Sequence, residues 1–140
     1  MRRSRLIFDV FQIASVALLF VYLFSQRGPW DAQRDLGMAL ILIGLLGIAI
    51  ARFQLGGSFS IVPQARQLVT HGLYSRIRNP IYFFGTILFA GLIIFLHRPI
   101  LWILFVVMVI LQMIRARREA QVLEAAFGDA YREYRRKTWF

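Results

Sequence analysis

The chain has 140 residues, 59% of them hydrophobic, with a formal charge of +10 and no cysteine. That apolar share exceeds the roughly 45–50% of soluble domains and points to a bilayer as solvent. The missing thiols exclude disulfides, thiolate zinc and iron–sulfur sites, and the two histidines, His71 and His97, lack ligand spacing, so no metal site is expected.

The first apolar run is Leu6–Phe24, preceded by Arg2, Arg3 and Arg5 and interrupted by Asp9 and Gln12. It is long for a signal peptide and ends without a small-x-small site, so it reads as a retained helix. Further runs follow at Leu36–Ala51, Ile81–Leu96 and Ile100–Ile114. Together they predict an all-α, polytopic, single-domain membrane protein over 1–140, with four spans near 6–24, 36–52, 80–96 and 99–114. The last three runs are short and must borrow flanking residues, tilt little or thin the bilayer.

Basic residues set the expected orientation. With the N-terminus inside, fourteen of the 17 Lys and Arg residues fall on the inner side, and only Arg27, Arg34 and Arg98 lie outside. That is a strong positive-inside bias, expected of an inner membrane protein with both termini in the cytoplasm. The flanking pattern of the basic residues speaks for headgroups and against nucleic acid. Gly47-x-x-x-Ala51 and Thr86-x-x-x-Ala90 have spacing that lets helices approach closely.

Two polar segments then lie on the cytoplasmic side. The first is the loop 54–79, which begins flexibly at Gly56-Gly57-Ser58 and ends in LVTHGLYSRIRNPIY, Leu68–Tyr82. Asn79-Pro80 is a helix-start signature, with Asn79 expected to cap free N–H groups and Pro80 placed where no donor is needed. The helix start and Arg78 offer an anion site, and Tyr74 and Tyr82 offer aromatic faces. The second is the tail 115–140. Arg115 and Glu119 share a face at i, i+4 spacing. Val122, Leu123, Ala126, Phe127, Ala130, Tyr131 and Tyr134 make an apolar stripe, predicting an amphipathic interfacial helix that weakens at Gly128 and restarts at Asp129. The connection His97-Arg98-Pro99 forces a tight hairpin between the third and fourth helices, with Pro99 suited to the fourth helix's first turn. The hairpin should bring the two polar segments together.

The segment LVTHGLYSRIRNPIY resembles the signature of the isoprenylcysteine carboxyl methyltransferase family. Arg115-x-x-x-Glu119-x-x-x-Leu123-x-x-x-Phe127-Gly128-x-x-Tyr131-x-x-Tyr134 resembles that family's second block, and the resemblance covers about the last 90 residues. It implies an integral-membrane methyltransferase using S-adenosylmethionine. Gly72, Tyr74, Arg78, Pro80 and Tyr82 would build the cofactor pocket beside His71, with Asn79 at the usual histidine position. Arg115 and Glu119 would lie at the reacting centre, and Tyr131 and Tyr134 would close the pocket. Ala120 stands where the family has a second glutamate. The sequence stops at Trp139-Phe140, short of the family's proline-containing tail, which implies a more open pocket or a partner that closes it.

The expected acceptor is lipophilic, first a carboxylate such as a prenyl-cysteine-like thioether acid. That group is ionised at neutral pH and needs no general base. Alternatives are a phospholipid N-methyltransferase, an NADPH-dependent sterol-type reductase, or a non-catalytic oligomerising membrane module. An amine acceptor would have to lose a proton, with Glu119 as the candidate base.

Overall fold

The computed structural model describes residues 2–26, 29–55 and 68–139, with side chains from residue 14 onward. Residues 56–67 lie outside the described set, and with them Arg66, the Gly56-Gly57-Ser58 stretch and most of the expected loop. The backbone is all-α: helices α1 (Arg2–Ser25), α2 (Ala32–Leu55), α3 (Pro80–Leu96), α4 (Leu101–Phe127) and α5 (Asp129–Lys137), plus a 3-10 turn at Gly72–Ser75. The chain divides into two compact units, 1–31 and 32–140.

In the first unit, α1 ends where the Ser25 hydroxyl donates to the Tyr22 carbonyl at 2.7 Å. Phe24 then stacks on Trp30, with ring centroids 6.2 Å apart. Leu18, Val21, Tyr22 and Phe24 are exposed.

The second unit is organised by α2 and α3. A Cβ on Gly37 would lie 2.6 Å from the Phe95 nitrogen, and one on Gly44 would lie 2.7 Å from the Leu88 side chain. One on Gly47 would run into the Phe84 ring. Positions 37, 44 and 47 therefore meet 95, 88 and 84, an antiparallel pair. From the other side, a Cβ on Gly91 would come within 2.8 Å of the Gly37 carbonyl oxygen. Gly37, Ile41, Gly44, Gly47 and Ala51 form one buried α2 face. Each helical glycine costs about 1 kcal/mol relative to alanine in water. Here the missing side chains let two backbones touch, and dispersion contacts hold helices together where solvent is itself apolar. The expected Gly47/Ala51 pair lies in this seam. Thr86 does not; it faces α4.

Of the described helices, α2 is long and apolar enough to cross a bilayer by itself. Leu36, Leu42, Ile43, Leu46, Ile50 and Phe53 stand exposed along it, an apolar surface suited to lipid. α3 has 17 residues, at the short end of the spanning range. The apolar part of α1 among side-chain-described residues, Ala14–Ser25, is shorter still.

The α3–α4 hairpin forms as expected. His97 closes α3 in the left-handed region at φ 54°. α4 starts at Leu101, two residues after Pro99, whose carbonyl accepts from the Trp102 N–H at 3.0 Å. Pro99 thus leads into α4 and is not part of it. The tail departs from expectation more clearly. α4 does not stop near Ile114 but runs unbroken to Phe127, because a change from lipid-facing to polar residues alters no backbone preference. Only Gly128 (φ 53°) breaks it. The expected interfacial helix is therefore split: 115–127 extends α4, and α5 alone is separate.

Candidate functional site

The site is framed by the segment that precedes α3. Gly72 adopts φ 61°, and a Cβ there would collide with the Gln54 side chain. The Gln54 amide oxygen accepts from the Leu73 N–H at 2.8 Å, so the end of α2 fixes the 3-10 turn. Tyr74 is buried beneath it. From α5, the Tyr134 hydroxyl donates to the Tyr74 carbonyl at 2.8 Å, and Tyr131 packs beside it at 1% exposure. The chain end completes the frame. The Trp139 N–H donates to the Arg76 carbonyl at 3.0 Å, the Arg78 N–H donates to the Trp139 carbonyl at 3.2 Å, and the Trp139 ring meets Phe83 edge-on at 5.4 Å. Trp139 is thus held to the segment before α3 and to α3 itself, with its ring half exposed.

Within this frame the two polar segments meet. The Tyr82 hydroxyl donates to the Glu119 carboxylate at 2.5 Å, and the Arg115 guanidinium lies 3.5 Å from the same oxygen. Arg115 and Glu119 side chains keep 43% and 26% of their exposure, so solutes can reach them. One turn deeper, the Thr86 hydroxyl lies 3.0 Å from the Gln112 amide oxygen and 2.9 Å from the Tyr82 carbonyl. Two polar rungs therefore join α3 to α4. The upper one is charged and accessible.

Electrostatics tie the frame to the site. Burial pushes the Tyr134 hydroxyl up to about 12, with Tyr131 adding to the rise and Arg78 opposing it. Burial likewise raises Tyr131, against Arg78. Tyr74 is raised by burial first, then by Tyr134 and Glu119. All three phenols stay neutral donors at physiological pH. Their couplings also show that Arg78 and Glu119 border the same tyrosine cluster.

Tyr74, Arg78, Tyr82, Arg115, Glu119, Tyr131 and Tyr134 therefore converge. Tyr74, Tyr131 and Tyr134 are buried against one another and serve as walls. Arg78, Tyr82, Arg115 and Glu119 remain accessible. Pro80 is buried at the first position of α3, and His71 is exposed at the rim, its carbonyl accepting from the Tyr74 N–H. Asn79 differs from expectation. Its side chain makes no capping hydrogen bond, and its backbone carbonyl accepts from the Phe83 N–H at 3.0 Å. Proline leaves the first N–H absent, which reduces what a cap must satisfy.

Thr86, Gln112 and Trp139 were not singled out as site residues by sequence. Gln112 could have been: it is a lone amide inside an apolar run, and such residues face protein partners. Among the described residues no cluster of His, Cys, Asp and Glu could hold a metal ion.

A family model described as phospholipid methyltransferase matches residues 32–130. The isoprenylcysteine carboxyl methyltransferases are a related branch of the same superfamily. No curated protein and no solved structure matches the chain. The matched range takes in the α2–α3 pair, the 3-10 turn and both halves of the polar cluster, and leaves out α1.

Proposed function

The chain belongs to the phospholipid methyltransferase family, membrane enzymes that use S-adenosylmethionine, and from that premise we propose that it methylates the headgroup amine of a phospholipid. The family match favours this acceptor over the thioether acid placed first from sequence. The observation that carries the choice is that match over residues 32–130, and the Arg115–Glu119 pair, a cation and an anion 3.5 Å apart on an accessible face, suits it. Such a pair complements a zwitterion: Arg115 takes the phosphodiester and Glu119 the ammonium.

The donor set fits the cofactor too. Its charged amino-acid part and its purine ask for ionic partners and aromatic walls. Arg78, which acts on Tyr131 and Tyr134, and the ring of Tyr82 would supply them. S-adenosylmethionine supplies a methyl carbon on a positively charged sulfur; the amine nitrogen takes that carbon while the bonding pair remains on sulfur.

The protein's work is to ready the nitrogen. An alkylammonium has a pKa of about 10, so at neutral pH it arrives protonated. Glu119 holds it by a charge-assisted hydrogen bond and accepts its proton for passage to water. The exposed side of the Glu119 carboxylate gives that proton a way to water. Tyr82 fixes the carboxylate's orientation by donating to one oxygen, which leaves the other for the amine. Positioning of two reactants accounts for much of the rate in such transfers.

For topology, four crossings with both termini in the cytoplasm place this cluster at the inner headgroup level. The basic-residue bias and the apolar exposed faces of α2 and α4 support it.

The test is incorporation of labelled methyl from S-adenosylmethionine by protein in vesicles offered phosphatidylethanolamine and a prenylated thioether acid together. Label in the phospholipid is expected. Label only in the thioether acid, or in neither, overturns the reading.

A further inference from the structure

A groove of about 250 Å³ lies between α3 and α4, directly beneath the upper polar rung. Phe83 and Ile87 line it from α3, Val109 and Met113 from α4, and Trp139 stands at its cytoplasmic end. Thr86 and Gln112 form its floor, yet they turn their polar atoms toward each other, so the surface offered is apolar. Nothing in the methyl-transfer chemistry above uses this space.

We propose that the groove holds the head-proximal carbons of one acyl chain of the acceptor and so sets the depth at which its amine meets Glu119. This rests on the phospholipid reading.

Three observations carry it. The first is size. A methylene takes up about as much room as a water molecule's share of liquid, roughly 30 Å³, so the groove accepts about eight carbons in a row. A saturated segment of that length fills the groove, which leaves no room for a ring attached to the same segment. The second is spacing along α4. Gln112, Arg115 and Glu119 lie at relative heights of about 0, 5 and 10 Å, given 1.5 Å per residue. In a glycerophospholipid the acyl carbonyl carbon and the amine nitrogen are nine bonds apart, about 10 Å extended for bonds of about 1.5 Å. The phosphorus lies between them. Groove, Arg115 and Glu119 thus follow one another along the α4 backbone in the order of chain, phosphate and amine, and the two charged side chains lie 3.5 Å apart, close enough to engage one headgroup. The third is continuity. Phe83 and Tyr82 are sequence neighbours, and the Thr86 hydroxyl contacts the Tyr82 carbonyl, so the groove leads into the site without a break.

The energetic role differs from that of an apolar pocket in water. The chain already lies in hydrocarbon, so entering the groove brings no hydrophobic gain. The groove acts as a register: it decides where the amine stops.

The test uses three phosphatidylethanolamines at equal mole fraction in amine-free phosphatidylglycerol bilayers: unmodified, with a phenyl group at carbon 5 of both chains, and with the phenyl at carbon 15. Expected is a loss of at least tenfold in kcat/KM for the carbon-5 lipid and no more than a twofold change for the carbon-15 lipid. Val109→Ala, which enlarges the groove, should restore most of the carbon-5 rate. Equal rates for the two phenyl positions in the wild-type protein overturn the inference, as does a Val109→Ala protein that treats the two lipids as the wild type does. If the unmodified lipid gains no label at all, the phospholipid reading itself has failed and the inference falls with it. Methylation that ignores phenyl position removes the groove alone.

Discussion

Helix α3 has two helical neighbours and treats them in opposite ways. Against α2 it is joined along its length by glycines at 37, 44, 47 and 91, backbone against backbone. Against α4 it is joined near its N-terminal end by two polar rungs with an apolar groove alongside. No residue of α4 is buried. The first contact excludes everything and can only be a scaffold. The second leaves room for a chain and keeps charged groups accessible, as a site must. A rigid pair thus carries one wall of a loose one, so catalytic precision has to come from α3 and the clasped segment around Tyr74.

The contrast makes the glycine seam the place of largest expected damage. Gly44→Leu would drive a side chain into the Leu88 backbone, 2.8 Å from where its Cβ must stand. Overpacking of this kind costs about 1–3 kcal/mol or more when backbone cannot yield. A marked fall in thermal midpoint in detergent, by circular dichroism, is expected. Val106→Leu, on the exposed side of α4, should leave the midpoint unchanged. Equal effects would remove the distinction between the two neighbours.

Next in size is Tyr82→Phe. It removes the hydroxyl that orients the Glu119 carboxylate. A fall in kcat of about tenfold or more is expected, with little change in the thermal midpoint. A loss of stability without loss of rate would make Tyr82 a strut and not a positioning group.

The lower rung should matter less. Thr86→Val, Gln112→Leu and the double variant form a cycle in which the coupling energy is expected near 0.6 kcal/mol, the average for such bonds between membrane helices. Coupling above about 2 kcal/mol would show that the α3–α4 contact is a second scaffold.

The smallest effect is alkaline. Tyr134 has a hydroxyl pushed up to about 12 by burial, above the ordinary value near 10. Its neutral form is favoured in the folded state, so its contribution is full below pH 10 and lost as pH rises through about 12. The thermal midpoint should decline between those values, and less steeply in Tyr134→Phe. An identical decline in both would show that the clamp on Tyr74 does not titrate.

Much of the site was legible in the sequence because its signals are local or helical. Arg115 and Glu119 are four apart, Asn79-Pro80 marks a helix start, and Gly128 marks a break. The turn at His97–Ile100 then brings the blocks together. What stayed hidden depends on tertiary contact. Nothing local says that α4 runs on past Ile114 to Phe127, since amphipathic and lipid-facing helices share backbone geometry. Trp139 pairs with Arg76 and Arg78 through main-chain groups that carry no side-chain code. Gly37, Gly44 and Gly91 read as ordinary small residues until a partner backbone lies against them. The first choice of acceptor also followed a resemblance to one branch, whereas the family model that matches is that of the phospholipid branch.

The most direct measurement is methyl transfer to phosphatidylethanolamine by Glu119→Gln, made alongside its affinity for S-adenosylmethionine. Glutamine keeps the size and can still accept from Tyr82, but it cannot hold an ammonium by charge or carry its proton. The expected result is a loss of kcat of at least about a hundredfold, the usual scale for a lost acid–base group, with donor affinity within threefold of wild type. A Glu119→Gln enzyme that methylates the phospholipid within threefold of the wild-type rate would contradict the assignment of the α3–α4 junction as the reacting centre.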